Sequence, residues 1–361
     1  MNEILLDFFY NRRKKVKKIS KNLKKFIFSV ALGQLFLSSL PAEASQLVKA
    51  NSISQLFVFG DSLVDDGNLY DLTNGESPPS SLGYFNGRFS NGKVFVENLP
   101  EDLKNNGFGQ ATLEYNSANN YAIAGSGINY NYFLENSMGL DYQINSFLSA
   151  QFSPSSQALG IFSTPSIDPD ALYLIAVGSN DYYPDEDGNL SFDVETVVGK
   201  ITESITQLAN AGAKNFAIAG IPDLTIAPAL NGISEDEKEF LKNLSRQHNL
   251  TLQIALDSLQ QEQELDITFL DFNRFLKKSF NNFANIQDAC LNLATANQCS
   301  DPNDYLFWDD IHLTSYAHTI LAQRSVEVYG ESNSISVPEP QAVFGLFVVA
   351  GVSLLLRNKP K

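Results

Sequence analysis

Cysteine and histidine are scarce in this chain of 361 residues, and so are basic side chains outside one terminal stretch. Cys290 and Cys299 are the only cysteines. Two thiolates cannot complete a tetrahedral structural zinc site, and no histidine pair with ligand spacing lies near them. In an exported chain such a pair reads as a disulfide closing a short loop. The three histidines, His248, His312 and His318, leave few candidates for a general base. A Gly-x-Ser-x-Gly elbow is missing, which disfavours the α/β-hydrolase fold. Residues 1–44 hold nine of the 25 Lys and Arg but only three of the 41 Asp and Glu. The remainder carries a net charge of −22, against −16 for the whole chain. A surface of that sign repels polyanions and excludes nucleic acid as a partner.

The two ends read as address labels. Residues 12–25 carry nine basic and no acidic side chains, residues 26–40 are an apolar run, and Ala42-Glu43-Ala44 offers a small-x-small cleavage site. That order is the pattern of a secretory signal peptide cut by signal peptidase. The run is shorter than the ~20 apolar residues a spanning helix wants, so an uncleaved anchor is the lesser reading. At the other end, Val337-Pro338-Glu339-Pro340 precedes an apolar run over residues 342–356 and the basic Arg357, Lys359 and Lys361. This is a stop-transfer pattern. It resembles the PEP-CTERM sorting signal, which implies recognition and cutting by an exosortase; a plain membrane anchor is the alternative. The expected organisation is therefore a signal peptide (1–44), one globular domain (45–331) and a linker with a sorting or anchoring segment (332–361).

The domain is organised around residues 55–68. Leu56 to Phe59 reads as a buried strand, Gly60 breaks it, and Asp61 and Ser62 sit on the turn that follows. Further strands are expected near residues 121–124, 171–177, 215–219 and 267–270, the second of these ending in Gly178-Ser179-Asn180-Asp181. Helices are expected from Leu140, from Val194 with a stop at Gly212, from the Ser234/Glu237 capping box to about Gln261, and from Thr314 to Tyr329. Alternation of about five strands with helices predicts a parallel sheet covered on both faces. In such sheets ligands bind at the carboxyl ends of the strands. Residues 71–91 and 129–137 read as loops that shape substrate choice.

A serine hydroxyl needs a base in contact, the base needs an orienting partner, and the tetrahedral intermediate needs hydrogen-bond donors. The chain offers one group for each role. Ser62 is the nucleophile and His312 the base. Asp309, three residues before His312, suits contact on one helical turn better than Asp310. Oxyanion donors are the Ser62 N–H, the Gly125 N–H (Gly127 as fallback) and the Asn180 amide. Asp61 is read as a brace for its turn, and His248 and His318 as structural.

These stretches together resemble the SGNH/GDSL hydrolases. The matching pieces are Gly60-Asp61-Ser62-Leu63 with Asp65, Gly67 and Asn68; residues 87–92; residues 120–125; Gly178-Ser179-Asn180-Asp181; and Trp308-Asp309-Asp310-Ile311-His312. Two positions depart from the family pattern: Leu313 stands where proline is usual, and Ala124-Gly125 where Gly-Gly is common. The resemblance implies a three-layer α/β/α sandwich of flavodoxin-like order. It also implies hydrolysis of carboxylic esters (of lipids, short acyl groups or acylated glycans) without a metal or other cofactor. The site roles above are those of the family. An acyltransferase using the same acyl-enzyme, or a non-catalytic anchored surface protein on the same fold, is the alternative.

Overall fold

A computed structural model of the chain describes residues 52–134, 138–149, 167–182 and 192–333. The expected signal peptide and the expected sorting or anchoring segment lie outside the described residues.

Four short strands form a parallel sheet in sequence order: β1 (Leu56–Gly60), β2 (Leu172–Ala176), β3 (Asn215–Ala219) and β4 (Asp266–Leu270). β1, β2 and β3 are buried along their whole length, as strands covered on both faces must be. The fifth strand expected near residue 121 is a single parallel bridge, Asn120 to Val58, outside β1. Tyr121 N and Ile123 N donate to Val58 O and Gly60 O at 2.8 and 3.1 Å. Pairing stops there because Gly125, at φ 82°, turns the backbone away. Counting that edge, the spatial order is 2-1-3-4-5, with the reversal between β1 and β2. A crevice opens at such a reversal, at the carboxyl ends of the strands.

Side-chain alternation along the strands builds two cores. Phe57, Phe59, Tyr173, Ile175, Phe216 and Ile218 face one way, onto α3 (Leu140–Ser149), α4 (Val194–Ala211) and α5 (Glu235–Gln263). Leu56, Val58, Leu172, Leu174, Ala217 and Ala219 face the other way, onto α2 (Phe95–Asn105), α6 (Phe272–Ser279) and α7 (Ser315–Asn333). The result is a three-layer α/β/α sandwich, as the alternation of elements predicts. α1 (Asn68–Leu72) is a single turn after the first strand. A side unit carries β5 (Asn285–Ala289) paired with β8 (Tyr305–Phe307), and a small hairpin of β6 (Leu291–Asn292) and β7 (Asn297–Gln298). A Cys290–Cys299 disulfide ties that hairpin together. α5 opens on the expected capping box, in which Ser234 Oγ accepts from Glu237 N and Glu237 Oε2 from Ser234 N. No helix among the described residues is long and apolar enough to cross a membrane.

Candidate active site

The turn after β1 is fixed from both sides. Gly60 has φ 153°, and a Cβ there would sit 2.1 Å from Ala176 O, so only glycine fits against β2. The buried Gln143 of α3 clamps Gly60: its Oε1 accepts from Gly60 N at 2.7 Å, and its Nε2 donates to Gly60 O at 2.9 Å. Asp61 Oδ1 accepts from Leu63 N, and Asp61 O from Val64 N and Asp65 N. Asp61 therefore braces the turn, while Ser62, between these anchors, presents its hydroxyl to the crevice.

His312 comes from the segment between β8 and α7. It is held in a tight turn rather than on the expected helical turn. Trp308 N donates to His312 O at 2.7 Å, and Phe307 pairs with Leu313 as an antiparallel bridge. Asp309 Oδ1 accepts from Ile311 N and His312 N at 2.8 and 2.7 Å, so the carboxylate shapes its own loop. The same carboxylate takes the imidazole: His312 Nδ1 lies 2.8 Å from Asp309 Oδ2. His312 Nε2 lies 2.9 Å from Ser62 Oγ. With Asp309 ionised, Nδ1–H donates to it and Nε2 is left to accept the serine proton. Burial alone would raise the pKa of Asp309. The facing His312 and the hydrogen bonds from His312 and Tyr84 outweigh this and hold it below the usual carboxylate range.

The loop of residues 87–92 holds the histidine segment from behind. Ser90 Oγ donates to Leu313 O at 2.9 Å, and Asn91 Oδ1 caps α7 by accepting from Ser315 N at 2.8 Å. Arg88 forms a two-pronged ion pair with Glu97, whose Oε2 also accepts from Val94 N at the start of α2. The Phe89 ring lies 4.6 Å from the His312 ring, centroid to centroid. Each polar residue of this block thus has a mechanical duty.

Gly125 is delivered to the same spot by the buried Asp65. Asp65 Oδ2 accepts from Ala124 N at 2.7 Å, and Oδ1 from Gly67 N and Asn68 N at 2.8 and 2.6 Å. Asn68 Nδ2 donates onward to Asn120 O and Ala122 O. Among the described residues neither Ser62 N–H nor Gly125 N–H has a partner within the chain, and both residues line the crevice. The fallback Gly127 does not line it, and its N–H donates to Tyr130 O at 2.9 Å. Asn180 lines the crevice on a short turn after β2, its amide steadied by donation to Ser126 O at 2.8 Å.

The structure therefore brings Ser62, Gly125, Asn180, Asp309 and His312 to one crevice. His248 and His318 lie elsewhere in the core. His248 Nδ1 pairs with Tyr182 OH at 2.6 Å, and His318 Nδ1 accepts from Phe95 N at 3.3 Å. Burial pushes each imidazole down to about 3, with the His312 charge adding to it for His318, so both stay neutral. Among the described residues no group of three or more His, Cys, Asp or Glu is placed to hold a metal ion.

Three contributors escaped sequence reasoning. Tyr84 OH donates to Asp309 Oδ2 at 2.7 Å from a fully buried position, although it reads as a loop aromatic in sequence. Gln143 reads as one polar residue on a helix. The crevice wall also comes from unexpected places. Of residues 71–91 none lines it, and of the described part of 129–137 only Phe133 does. Its apolar wall is built instead from Leu63, Ile226, Phe272, Leu276, Leu313 and Leu321.

Similarity to known proteins points to one family. Residues 56–325 match the model of the family described as GDSL-like Lipase/Acylhydrolase. GDSL esterase/lipase 5 of Arabidopsis thaliana is 25% identical over 84% of this chain and 90% of its own length. The phosphatidylcholine-sterol acyltransferase of Aeromonas hydrophila is 29% identical over 62% of each chain. The inactive GDSL esterase/lipase-like protein 25 of Arabidopsis thaliana is 27% identical over 73% of this chain and 68% of its own.

Proposed function

The chain belongs to the GDSL-like lipase/acylhydrolase family, and from that premise we propose that it cleaves carboxylic esters through an acyl-enzyme on Ser62. One observation carries the reading: a continuous line of hydrogen bonds runs from Ser62 Oγ through His312 Nε2 and Nδ1 to Asp309. In the first half-reaction His312 Nε2 removes the hydroxyl proton as Oγ attacks the ester carbonyl carbon. The carbonyl oxygen becomes an oxyanion and meets the N–H groups of Ser62 and Gly125 and the Asn180 amide. Collapse breaks the bond to the alcohol oxygen, which leaves with the proton from Nε2. Water then repeats the sequence on the acyl-enzyme and releases the acid. A positioned base is worth roughly 10²–10⁴ in rate, and each oxyanion donor roughly 10²–10³.

A fluorophosphonate probe is expected to label Ser62 and inactivate the protein, and Ser62→Ala to lose both labelling and ester cleavage. Failure of folded protein to react would remove the proposal. Transfer of the acyl group to an alcohol other than water is the second reading, favoured by the similarity to an acyltransferase. Added alcohol that diverts product from acid to ester would support it. The reading as a non-catalytic surface protein has the inactive relative in its favour and the intact hydrogen-bonded line against it.

The proposal extends to export. The leader, the PEP-CTERM-like tail and a disulfide, which persists in oxidising compartments, all favour it. Signal peptidase would cut after Ala44 and an exosortase-type enzyme would process the tail. A mature protein whose N-terminus still lay within residues 1–44 would contradict the first step.

A further inference from the structure

The crevice is partly enclosed, and the size of the space within it bears on the substrate. Ser62, Gly125, Asn180 and His312 line it together with Leu63, Ile226, Phe272, Leu276, Leu313 and Leu321. Its free volume is about 60 Å³. A dry apolar cavity of roughly 150 Å³ takes a benzene molecule, six carbons. By that ratio the space here holds about two or three carbons beyond the carbonyl. Beside Leu63 and Phe272 lies a second, smaller void of about 10 Å³, lined by Ala176 and Ala219. Leu276 of α6 and Leu321 of α7 are buried in the core and close the inner wall.

The two halves of an ester have different needs. The alcohol must leave to solvent after the first half-reaction, whereas the acyl group stays on Ser62 and gains from a dry wall. A narrow, largely apolar space touching the nucleophile therefore suits the acyl half. Besides His312, the ionisable side chains on its wall are the carboxyls of Asp61 and Asp223. Asp223 is held below the usual carboxylate range: burial raises it, but hydrogen bonds from Thr225 and the nearby Lys277 ammonium outweigh that. That carboxylate is already paired with Lys277, which is not on the wall, so a carboxylated acyl group finds no free countercharge there. We infer that the protein is selective for short, neutral acyl groups of about two to four carbons, with Leu276 and Leu321 setting the limit. This rests on the Ser62 acyl-enzyme reading and narrows it, away from the long acyl chains of a lipase substrate.

The test is a series of nitrophenyl esters from acetyl to palmitoyl on the purified protein, with fluorophosphonate titration counting intact sites in every variant. For the wild type, kcat/KM should fall at least tenfold between butyryl and octanoyl. Each methylene that finds apolar contact adds about 0.8 kcal/mol, roughly fourfold. Leu276→Ala or Leu321→Ala should therefore raise the octanoyl-to-butyryl ratio by tenfold or more. Should both core variants fail to fold, Ile226→Phe, at a partly exposed position, narrows the space instead. It should lower the butyryl-to-acetyl ratio at least fivefold. Wild-type protein that cleaves octanoyl or palmitoyl esters as well as butyryl would overturn the chain-length limit and leave the Ser62 reading standing. Ratios unchanged in the variants would do the same. Absence of any ester cleavage, with no titratable serine, would instead overturn the reading on which the limit rests.

Discussion

Tyr84→Phe removes one oxygen from the least accessible part of the site, and its effect separates a positioning role from mere packing. Tyr84 OH and His312 Nδ1 both donate to the same oxygen, Asp309 Oδ2, at 2.7 and 2.8 Å. Burial and the neighbouring Asp309 raise the phenol pKa well above its ordinary value, so Tyr84 remains a donor at every working pH. The ring packs edge-on against Phe89 and Trp308, at 5.7 and 6.4 Å between centroids, and phenylalanine keeps those contacts. What is lost is one hydrogen bond to a buried carboxylate, worth about 1.5–3 kcal/mol. Asp309 keeps its bonds from Ile311 N, His312 N and the imidazole, so it is not orphaned.

The lost bond has a direction. Without Tyr84 the negative charge of Asp309 has one donor fewer, and the His312–Asp309 pair holds its proton more tightly. The base must be unprotonated to accept from Ser62, so the acid limb of kcat/KM should move to higher pH. A looser carboxylate should also lower kcat about tenfold, equivalent to about 1.4 kcal/mol. The assay is a pH–rate profile on a short nitrophenyl ester, beside thermal melts of both proteins. A variant with a lowered melting point, an unmoved acid limb and kcat within about twofold would show that Tyr84 serves only packing.

Two further predictions concern stability. Asp181 is buried and its carboxyl is pushed up to about 7, chiefly by burial, with Asp61 adding to it. The unfolded chain releases this proton near pH 4 and the folded chain only near 7, so the stabilising contribution is whole below 4 and lost between 4 and 7. Asp181→Asn should therefore raise the melting point at pH 8 and leave it nearly unchanged at pH 4. The difference is on the order of 4 kcal/mol, and an equal effect at both pH values would refute it. Reducing the Cys290–Cys299 bond, which spans nine positions, should cost about 2–3 kcal/mol, read as a lower melting point with thiol reductant and none in a Cys290→Ala/Cys299→Ala variant.

How much of this was legible in the sequence follows from the range over which each contact acts. Strands β1 to β4 are runs of apolar residues bounded by glycine or polar turns, a local signal, and all four fall where the pattern puts them. The expected fifth strand failed for a local reason as well: the apolar run of residues 121–124 meets a left-handed Gly125 after one bridge. The residues that meet in the crevice were legible because their types are chemically restrictive and each sits at the end of a recognisable element. The groups that place them were not. Gln143 grips Gly60 across 83 positions, and Tyr84 reaches Asp309 across 225. An amide and a phenol have many ordinary uses, so neither residue type announces a partner that far away. The Asp309–His312 spacing illustrates the same limit at short range. Three positions suit a helical turn, yet Asp309 accepts two backbone N–H groups and closes a turn of its own. Contact between the two side chains follows from either geometry, so the spacing constrained the pair and left the backbone open. The crevice wall was misread for the corresponding reason. Its apolar residues lie on the turn after β1, the loop after β3, α6, α7 and the segment leading into α7, where burial in a core predicts the same composition as burial beside a substrate. Only the arrangement in space, with Ser62 and His312 on the same surface, distinguishes the two.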